Sequence, residues 1–384
     1  PFTLRSIFSG NSIGRRSNGT FTISQDRIES TKIPGSKILT IDFDQDGDLD
    51  LFRTGQIDLQ AYGKPVDSWL YNNEEGSFSS VFGPNFDDLK DLGMVTDAKV
   101  IDINNDQWPD IVVVGEWMEV TILFNSLGKG FKKTSLIGSA GNWRSLVTGD
   151  FDNDGDFDLV AGNMGLNSGL NASQEFPIRL FGYCPSGDTN CVGIMTAFYP
   201  LIDGKYMSFP IYRRSTILKA LNNFQTIFPS YQAYAQFTTN DLIRQQGNKI
   251  LYKNQIQTLN SSYFENQGSG NFKFKPLPKE FQWSSVEALL VSDFNDDGYL
   301  DLMGAGNNSG MNLAIGNLDA SKGILALGTG KGDFKVLPTH LLGDFLSGEV
   351  RNIKKVMVGE VAYLSTASNN GDLNFFKINP LFKW

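Results

Sequence analysis

Short apolar runs, each entering or leaving an acidic stretch, set the rhythm of this chain. Lys37-Ile-Leu-Thr-Ile leads into the segment from Asp42 to Asp50, and Leu51-Phe-Arg-Thr leads out. Ala98-Lys-Val-Ile and Ile111-Val-Val-Val flank Asp102 to Asp110, and Ser145-Leu-Val-Thr-Gly and Leu159-Val-Ala-Gly flank Asp150 to Asp158. A fourth copy, Asp293 to Asp301, follows Ala288-Leu-Leu-Val-Ser. Runs this short, bounded by turn-forming residues, predict strands, so each acidic stretch is the tip of a hairpin. Later runs supply third and fourth strands: Ser68-Trp-Leu-Tyr-Asn with Gly76-Ser-Phe-Ser-Ser-Val, and Val120-Thr-Ile-Leu-Phe-Asn with Gly130-Phe-Lys-Lys.

Elsewhere the pattern changes. Residues 1–36 carry two short strands around Asn18-Gly19, a hairpin signal, expected to complete a sheet that the C-terminus begins. Pro177-Ile-Arg-Leu-Phe-Gly and Val192-Gly-Ile-Met-Thr-Ala-Phe-Tyr flank Tyr183-Cys-Pro-Ser-Gly-Asp-Thr-Asn-Cys, as if a fourth unit had lost its acidic loop and kept only Asp188. Residues 212–248 predict a helical insertion. Apolar residues from Thr216 to Phe228 recur at helical spacing, and Thr239 to Gly247 is a short helix with a cap and a terminal glycine. Unit five runs from Ala288 to Leu337, and a last unit without an acidic loop from Val350 to Ile378.

The acidic nonapeptides carry the chemistry. Each offers carboxylate or amide oxygens at positions 1, 3, 5 and 9, and a carbonyl at position 7, which suits a hard cation taking six to eight oxygens. The expected ligands are Asp42, Asp44, Asp46, Asp48 and Asp50; Asp102, Asn104, Asp106, Trp108 and Asp110; Asp150, Asp152, Asp154, Asp156 and Asp158; and Asp293, Asn295, Asp297, Tyr299 and Asp301. Up to four structural Ca²⁺ ions follow. Gly47, Gly155 and Gly298 take the turn at position 6, where the second copy has Gln107. A left-handed Gln costs about 1 kcal/mol, so that site is expected to be weaker or differently turned.

Net charge is −9 over 384 residues, which argues against nucleic acid as a partner. The four loops hold 17 of the 42 acids, so much of that charge belongs to metal. No apolar run is long enough to span a membrane. The chain opens at Pro1 without a signal pattern, so it is expected to be mature, trimmed or part of a longer polypeptide. Cys184 and Cys191 are the only cysteines, and their local spacing predicts a disulfide formed in an oxidising compartment.

Asp-Phe-Asp-x-Asp-Gly-Asp-x-Asp-Leu loops between Phe- and Gly-containing strands resemble the FG-GAP/VCBS repeats of integrin α-subunits and many secreted bacterial proteins. Gly93-Met-Val-Thr-Asp, Val114-Gly-Glu-Trp and Gly162-Asn-Met-Gly-Leu-Asn are similar to the cartilage-acidic-protein-like (ASPIC/UnbV-associated) group. The resemblance implies an all-β fold: a β-propeller of about seven, alternatively six, four-stranded blades, spanning residues 1–384 as one domain. It places calcium in the loop between the first two strands of a blade. Repeat units of roughly 40–50 residues fit the same architecture.

Connections after each second strand should lie on the face opposite the acidic loops. Tyr62, Trp117, Asn163, Asn167, Asn307 and Asn308 stand there (Gly306 to Met311 being the last such connection) and suit hydrogen bonding to a polar ligand. Trp117 and Asn163 are expected to serve binding more than stability. Signals for catalysis are thin. Gly10-Asn11-Ser12-Ile13-Gly14 matches a nucleophile-elbow string without a following helix, and His340 is the only histidine. The leading expectation is an extracellular, cell-surface or periplasmic binding or adhesion module for a protein or glycan, with no catalytic residue assigned. The alternative is a calcium-dependent carbohydrate-active enzyme, lyase-like, using Tyr212, Arg213 or Arg214.

Overall fold

A computed structural model describes residues 12–17, 20–27, 31–185, 187, 190–310, 315–342 and 346–378. Strands β1 (Ser12–Ser17) and β2 (Thr20–Arg27) pair with each other. The first four-stranded sheet follows as β3 (Ile38–Ile41), β4 (Asp50–Arg53), β5 (Trp69–Glu74) and β6 (Ser77–Ser80). The second has β7 (Met94–Ile101), β8 (Asp110–Met118), β9 (Thr121–Asn125) and β10 (Phe131–Ser135), with β11 (Gly141–Asn142) added to β8.

The third sheet opens with β12 (Ser145–Gly149) and β13 (Asp158–Gly162), and here the chain departs from its own order. Strands β14 (Ile178–Tyr183), β15 (Val192–Pro200), β16 (Tyr206–Pro210) and β17 (Ile250–Ile256) form a separate sheet in the order β16-β15-β14-β17. Only then do β18 (Ser262–Asn266) and β19 (Phe272–Pro276) complete the third sheet, Leu159 of β13 pairing with Phe264 of β18. The Cys-bearing unit is therefore not a fourth repeat in line but a sheet inserted into the third. The fourth sheet is β20 (Ala288–Ser292), β21 (Asp301–Ala305), β22 (Ile324–Gly328) and β23 (Phe334–Val336). The last is β24 (Val350–Val358), β25 (Val361–Ser368) and β26 (Leu373–Lys377).

The second strands β8, β13 and β21 are buried along nearly their whole length: Asp158–Gly162 and Asp301–Ala305 are buried at every residue. That is why they read as unbroken apolar runs, whereas the outer strand β6 alternates. First strands β3, β7, β12, β20 and β24 lie side by side in that order and line one cavity of about 740 Å³, axial in that all five strands border it. The protein is thus mostly β, in seven antiparallel sheets among the described residues, of which four have four strands. Against expectation, β1 and β2 join no other sheet among the described residues, and the last sheet has three strands.

Helices α1 (Arg214–Ala220), α2 (Tyr231–Ala235) and α3 (Thr239–Gln246) lie between β16 and β17. Phe224, Phe228 and Phe237 from the segments between them, with Leu242 of α3, pack on Phe181 and Tyr183 of the inserted sheet. The single helix expected from Thr216 to Phe228 ends at Ala220 and gives way to a 3₁₀ turn at Asn222–Gln225, asparagine being a poor helix former. Helix α3 carries a capping box: Thr238 Oγ1 accepts from the Asp241 amide at 3.1 Å, and Asp241 accepts from the Thr238 amide at 3.0 Å. A short α4 (Thr339–Leu342) follows β23 and bears the exposed His340.

Candidate metal loops and the cavity at the opposite end

All four acidic nonapeptides are hairpin tips of one design. The strands pair up to Ile41↔Asp50, Ile101↔Asp110, Gly149↔Asp158 and Ser292↔Asp301. In each loop the seventh amide donates to the fifth side chain: Asp48 to Asp46 at 2.8 Å, and Trp108 to Asp106, Asp156 to Asp154 and Tyr299 to Asp297 at 2.9 Å. The ninth Asp is fully buried in every copy. Its Oδ2 accepts the amide of the second residue (Phe43, Ile103, Phe151 or Phe294). Its Oδ1 accepts an amide from the third strand (Asn73, Asn125, Asn266 or Gly328). The ninth carboxylate is thus first a tie between loop and sheet, and in Asp158 the Oδ2 also accepts from the Tyr263 hydroxyl at 2.8 Å.

The sixth position is left-handed throughout: φ is 95° at Gly47, 96° at Gly155, 88° at Gly298 and 71° at Gln107. Gln107 therefore turns as the glycines do, and the differently turned loop expected from sequence is not found. Its cost remains. Gln107→Gly should raise stability by up to about 1 kcal/mol, the relief of left-handed strain less the entropy of a freer unfolded chain. Calorimetric melts of both proteins check this.

Two carboxylate clusters could hold a metal ion: Asp42, Asp44 and Asp50, and Asp150, Asp152 and Asp158, with oxygens within 4.8 Å of one another. In the first, Asp42 Oδ1 and Asp44 Oδ1 are buried without a hydrogen-bond donor, an arrangement that a cation would satisfy. Burial, and then the charge of Asp46, raise the Asp44 carboxyl above its ordinary value; burial and Asp154 do the same for Asp152. Burial pushes Asp110 and Asp158 up to about 6 despite the amides they accept. In the second and fourth loops Asn104 and Asn295 replace a carboxylate and donate to Asp106 and Asp297 at 3.0 and 2.9 Å.

Neighbouring loops are joined. Gln45 Nε2 donates to the Gln107 carbonyl, and Asn105 Nδ2 to Asp156, each at 2.6 Å. Asn125 and Asn266 Nδ2 reach back to the carbonyls of Phe43 and Ile103 in the preceding loop, at 2.8 and 2.9 Å. The Gly332 amide donates to Phe151. All four loops therefore share one end of the molecule. Sequence reasoning missed these asparagines, although Asn73, Asn125 and Asn266 stand at the same place before each outer turn.

At the opposite end a cavity of about 330 Å³ brings Tyr62, Trp117 and Asn308 together with Glu116, Arg144 and Asn142. Its floor is apolar, and Ile178, Met195 and Ile256 of the inserted sheet form one wall. Trp117 Nε1 donates to the Tyr62 hydroxyl at 3.0 Å, which donates to Glu116 at 2.7 Å; Arg144 meets Glu116 at 2.5 Å. Burial and the adjacent Glu116 hold the Tyr62 hydroxyl protonated, far above its ordinary range. Trp117 has φ 60°, a strained value for a bulky residue. Asn142 is buried and its Oδ1 has no donor.

The other expected binding residues fall elsewhere. Asn163 is fully buried: Oδ1 accepts from the Met164 amide at 2.7 Å, and Nδ2 donates to Thr258 and Asn260 carbonyls. Asn307 is likewise buried, donating to Ser321 and Gly348 carbonyls and accepting from Ser284 and the Ser321 amide. Both satisfy backbone in tight corners, and Trp117 is buried in the apolar core. Replacing Trp117 or Asn163 would therefore loosen the fold, contrary to the sequence expectation. Asn167 is exposed and outside the cavity lining. Of the residues considered for catalysis, Tyr212 lines the cavity, Arg213 is exposed, and Arg214 binds the Phe228 and Pro229 carbonyls at 3.0 and 2.9 Å. Cys184 and Cys191 are disulfide-bonded and close the β14–β15 turn. Gly10, Asn11, Asn18, Gly19, Asp188 and Met311 lie outside the described residues.

The profile of an FG-GAP-like repeat matches residues 102–161, the stretch from the second acidic loop through β13. No curated protein sequence matches the chain. Among solved structures, the V. cholerae biofilm matrix protein Bap1 is 8% identical with a TM-score of 0.32, over 91% of this chain and 68% of that one. BBS1N in complex with ARL6DN is 10% identical with a TM-score of 0.30, over 91% of this chain and 94% of that one. Among the described residues no helix is long and apolar enough to cross a membrane.

Proposed function

We propose that this chain is an extracellular binding module of radial, propeller-like architecture, fastened by Ca²⁺ at one end and recognising its ligand at the other. Calcium is the cation favoured by all-oxygen sites of this flexibility. The acidic-loop end is joined loop to loop, which suits a fastening role. The observation that carries the reading is the 330 Å³ cavity at the far end, which unites Trp117 at the end of β8 with Tyr62 and Asn308 from two separate connections. A concave site of this size, apolar below and polar at the rim, suits a sugar ring better than a broad protein surface. The disulfide fits an oxidising compartment.

A glycan microarray probed with the calcium-loaded chain tests this. Binding should appear for a restricted set of saccharides and fall at least about tenfold in Tyr62→Ala, which removes an aromatic face and a hydroxyl from the cavity wall. Tyr62 also ties Trp117 Nε1 to Glu116, so thermal melts run beside the array separate loss of the site from loss of the fold. Unchanged array binding by Tyr62→Ala would overturn the placement of the site.

A further inference from the structure

The axial cavity holds a charge pattern unlike the rest of the molecule. The protein carries a net charge of −9, yet this cavity of about 740 Å³ is lined by Lys37, Lys99, Arg144, Arg351 and Lys354 against the carboxylates of Asp97 and Glu287 alone. At one mouth the charges are matched. Arg144 pairs with Glu116 at 2.5 Å, and Arg351 lies 3.0 Å from Glu349 and 3.8 Å from Glu287.

Further along the first strands the match fails. Asp97 is buried and fully engaged: Oδ1 meets Lys37 at 3.2 Å and the Ala98 amide at 2.8 Å, while Oδ2 accepts from the Leu146 amide at 3.0 Å. Among the described residues the ammonium groups of Lys99 and Lys354 have no ion-pair or hydrogen-bond partner. Burial pushes Lys99 below its ordinary value; Asp97 opposes this, while Lys37 and Lys354 add to it. Cations gathered in a confined space without counter-charge favour any anion that enters, because low-dielectric walls strengthen the attraction.

We propose that the axial cavity is an anion-binding site, taking a sulfate or carboxylate group between the ammonium groups of Lys37, Lys99 and Lys354. The site is separate from the Tyr62 cavity, which it meets at Arg144. The oxyanion can be free or carried on a sugar, and both sources offer the same chemistry to the lysines.

Isothermal titration of the calcium-loaded full chain with sodium sulfate, glucose 6-sulfate, glucuronate and glucose, at constant ionic strength, tests the proposal. At least one of the anions should bind saturably and glucose should not. Lys99→Gln and Lys354→Gln should each weaken that binding about tenfold or more, the worth of a hydrogen bond to a charged group. Lys133→Gln, an exposed site on β10, should leave it unchanged. Tighter binding of the sugar-borne anions than of sulfate assigns the site to acidic saccharides; equal or weaker binding assigns it to a free oxyanion. Thermal melts of both lysine variants without anion guard against misfolding: removing a crowded cation should leave the melting temperature the same or higher. Absence of saturable binding by every anion, or binding unmoved in two folded lysine variants, overturns the proposal. A failed glycan array leaves this result unaffected, since Tyr62→Ala does not touch the lysines.

Discussion

Chelation with EDTA should lower the melting temperature of this protein by roughly 5 °C, and excess calcium should restore it. Extracellular calcium sites bind at about 10⁻⁴–10⁻³ M, so millimolar calcium stabilises each by about 1 kcal/mol through mass action. Four sites together contribute about 4 kcal/mol, and a chain of this size gains roughly 1 °C for each kcal/mol. The loss should exceed a screening effect, because the Asp42 and Asp44 oxygens left without a donor would be buried beside other carboxylates. Magnesium at equal ionic strength should restore little, since it demands rigid octahedral geometry and gives up its water reluctantly. Differential scanning calorimetry in calcium, EDTA and magnesium decides the matter. Coincident melts in calcium and EDTA would sink the metal assignment.

Asp158→Ala should be the most damaging single change in the acidic loops, at about 3–5 kcal/mol. The carboxylate is fully buried and accepts three hydrogen bonds: from the Phe151 amide at 3.2 Å, and from the Asn266 amide and the Tyr263 hydroxyl at 2.8 Å. Alanine would strand all three donors. Denaturant titrations with saturating calcium and with EDTA separate this from metal loss. If the wild-type and Asp158→Ala curves merge in EDTA, the residue acts through the cation alone.

The acidic loops were legible in sequence because their constraint is local: carboxylates at alternate positions and a left-handed sixth residue are fixed by one hairpin. The nested topology was not. Nothing around Gly162 announces that the next partner of β13 arrives with Tyr263 and Phe264, so the Cys-bearing strands resemble the next repeat. Asn163 and Asn307 misled for a physical reason. Asparagine satisfies buried backbone in a corner as well as it meets a ligand, and only the fold tells the two apart. The lysines of the axial cavity come from the residue before β3, from β7 and from β24, three segments that share no sequence motif. Arg144 and Glu116, which anchor the Tyr62 cavity, are likewise brought together only by packing.

The insertion of a whole sheet between β13 and β18 has a kinetic consequence. Closing the Leu159–Phe264 pairing spans about a hundred residues, some 2 kcal/mol more in loop-closure entropy than a ten-residue hairpin. That entropy must be offset before the third sheet can form. Folding of β14–β17 and its helices first would shorten the effective loop, since the inserted sheet holds its own ends near each other through the β14–β17 pairing of Ile178 with Ile256. Topology therefore favours an order of assembly in which β12 and β13, packed on β7, gain their third and fourth strands only after the inserted sheet has closed.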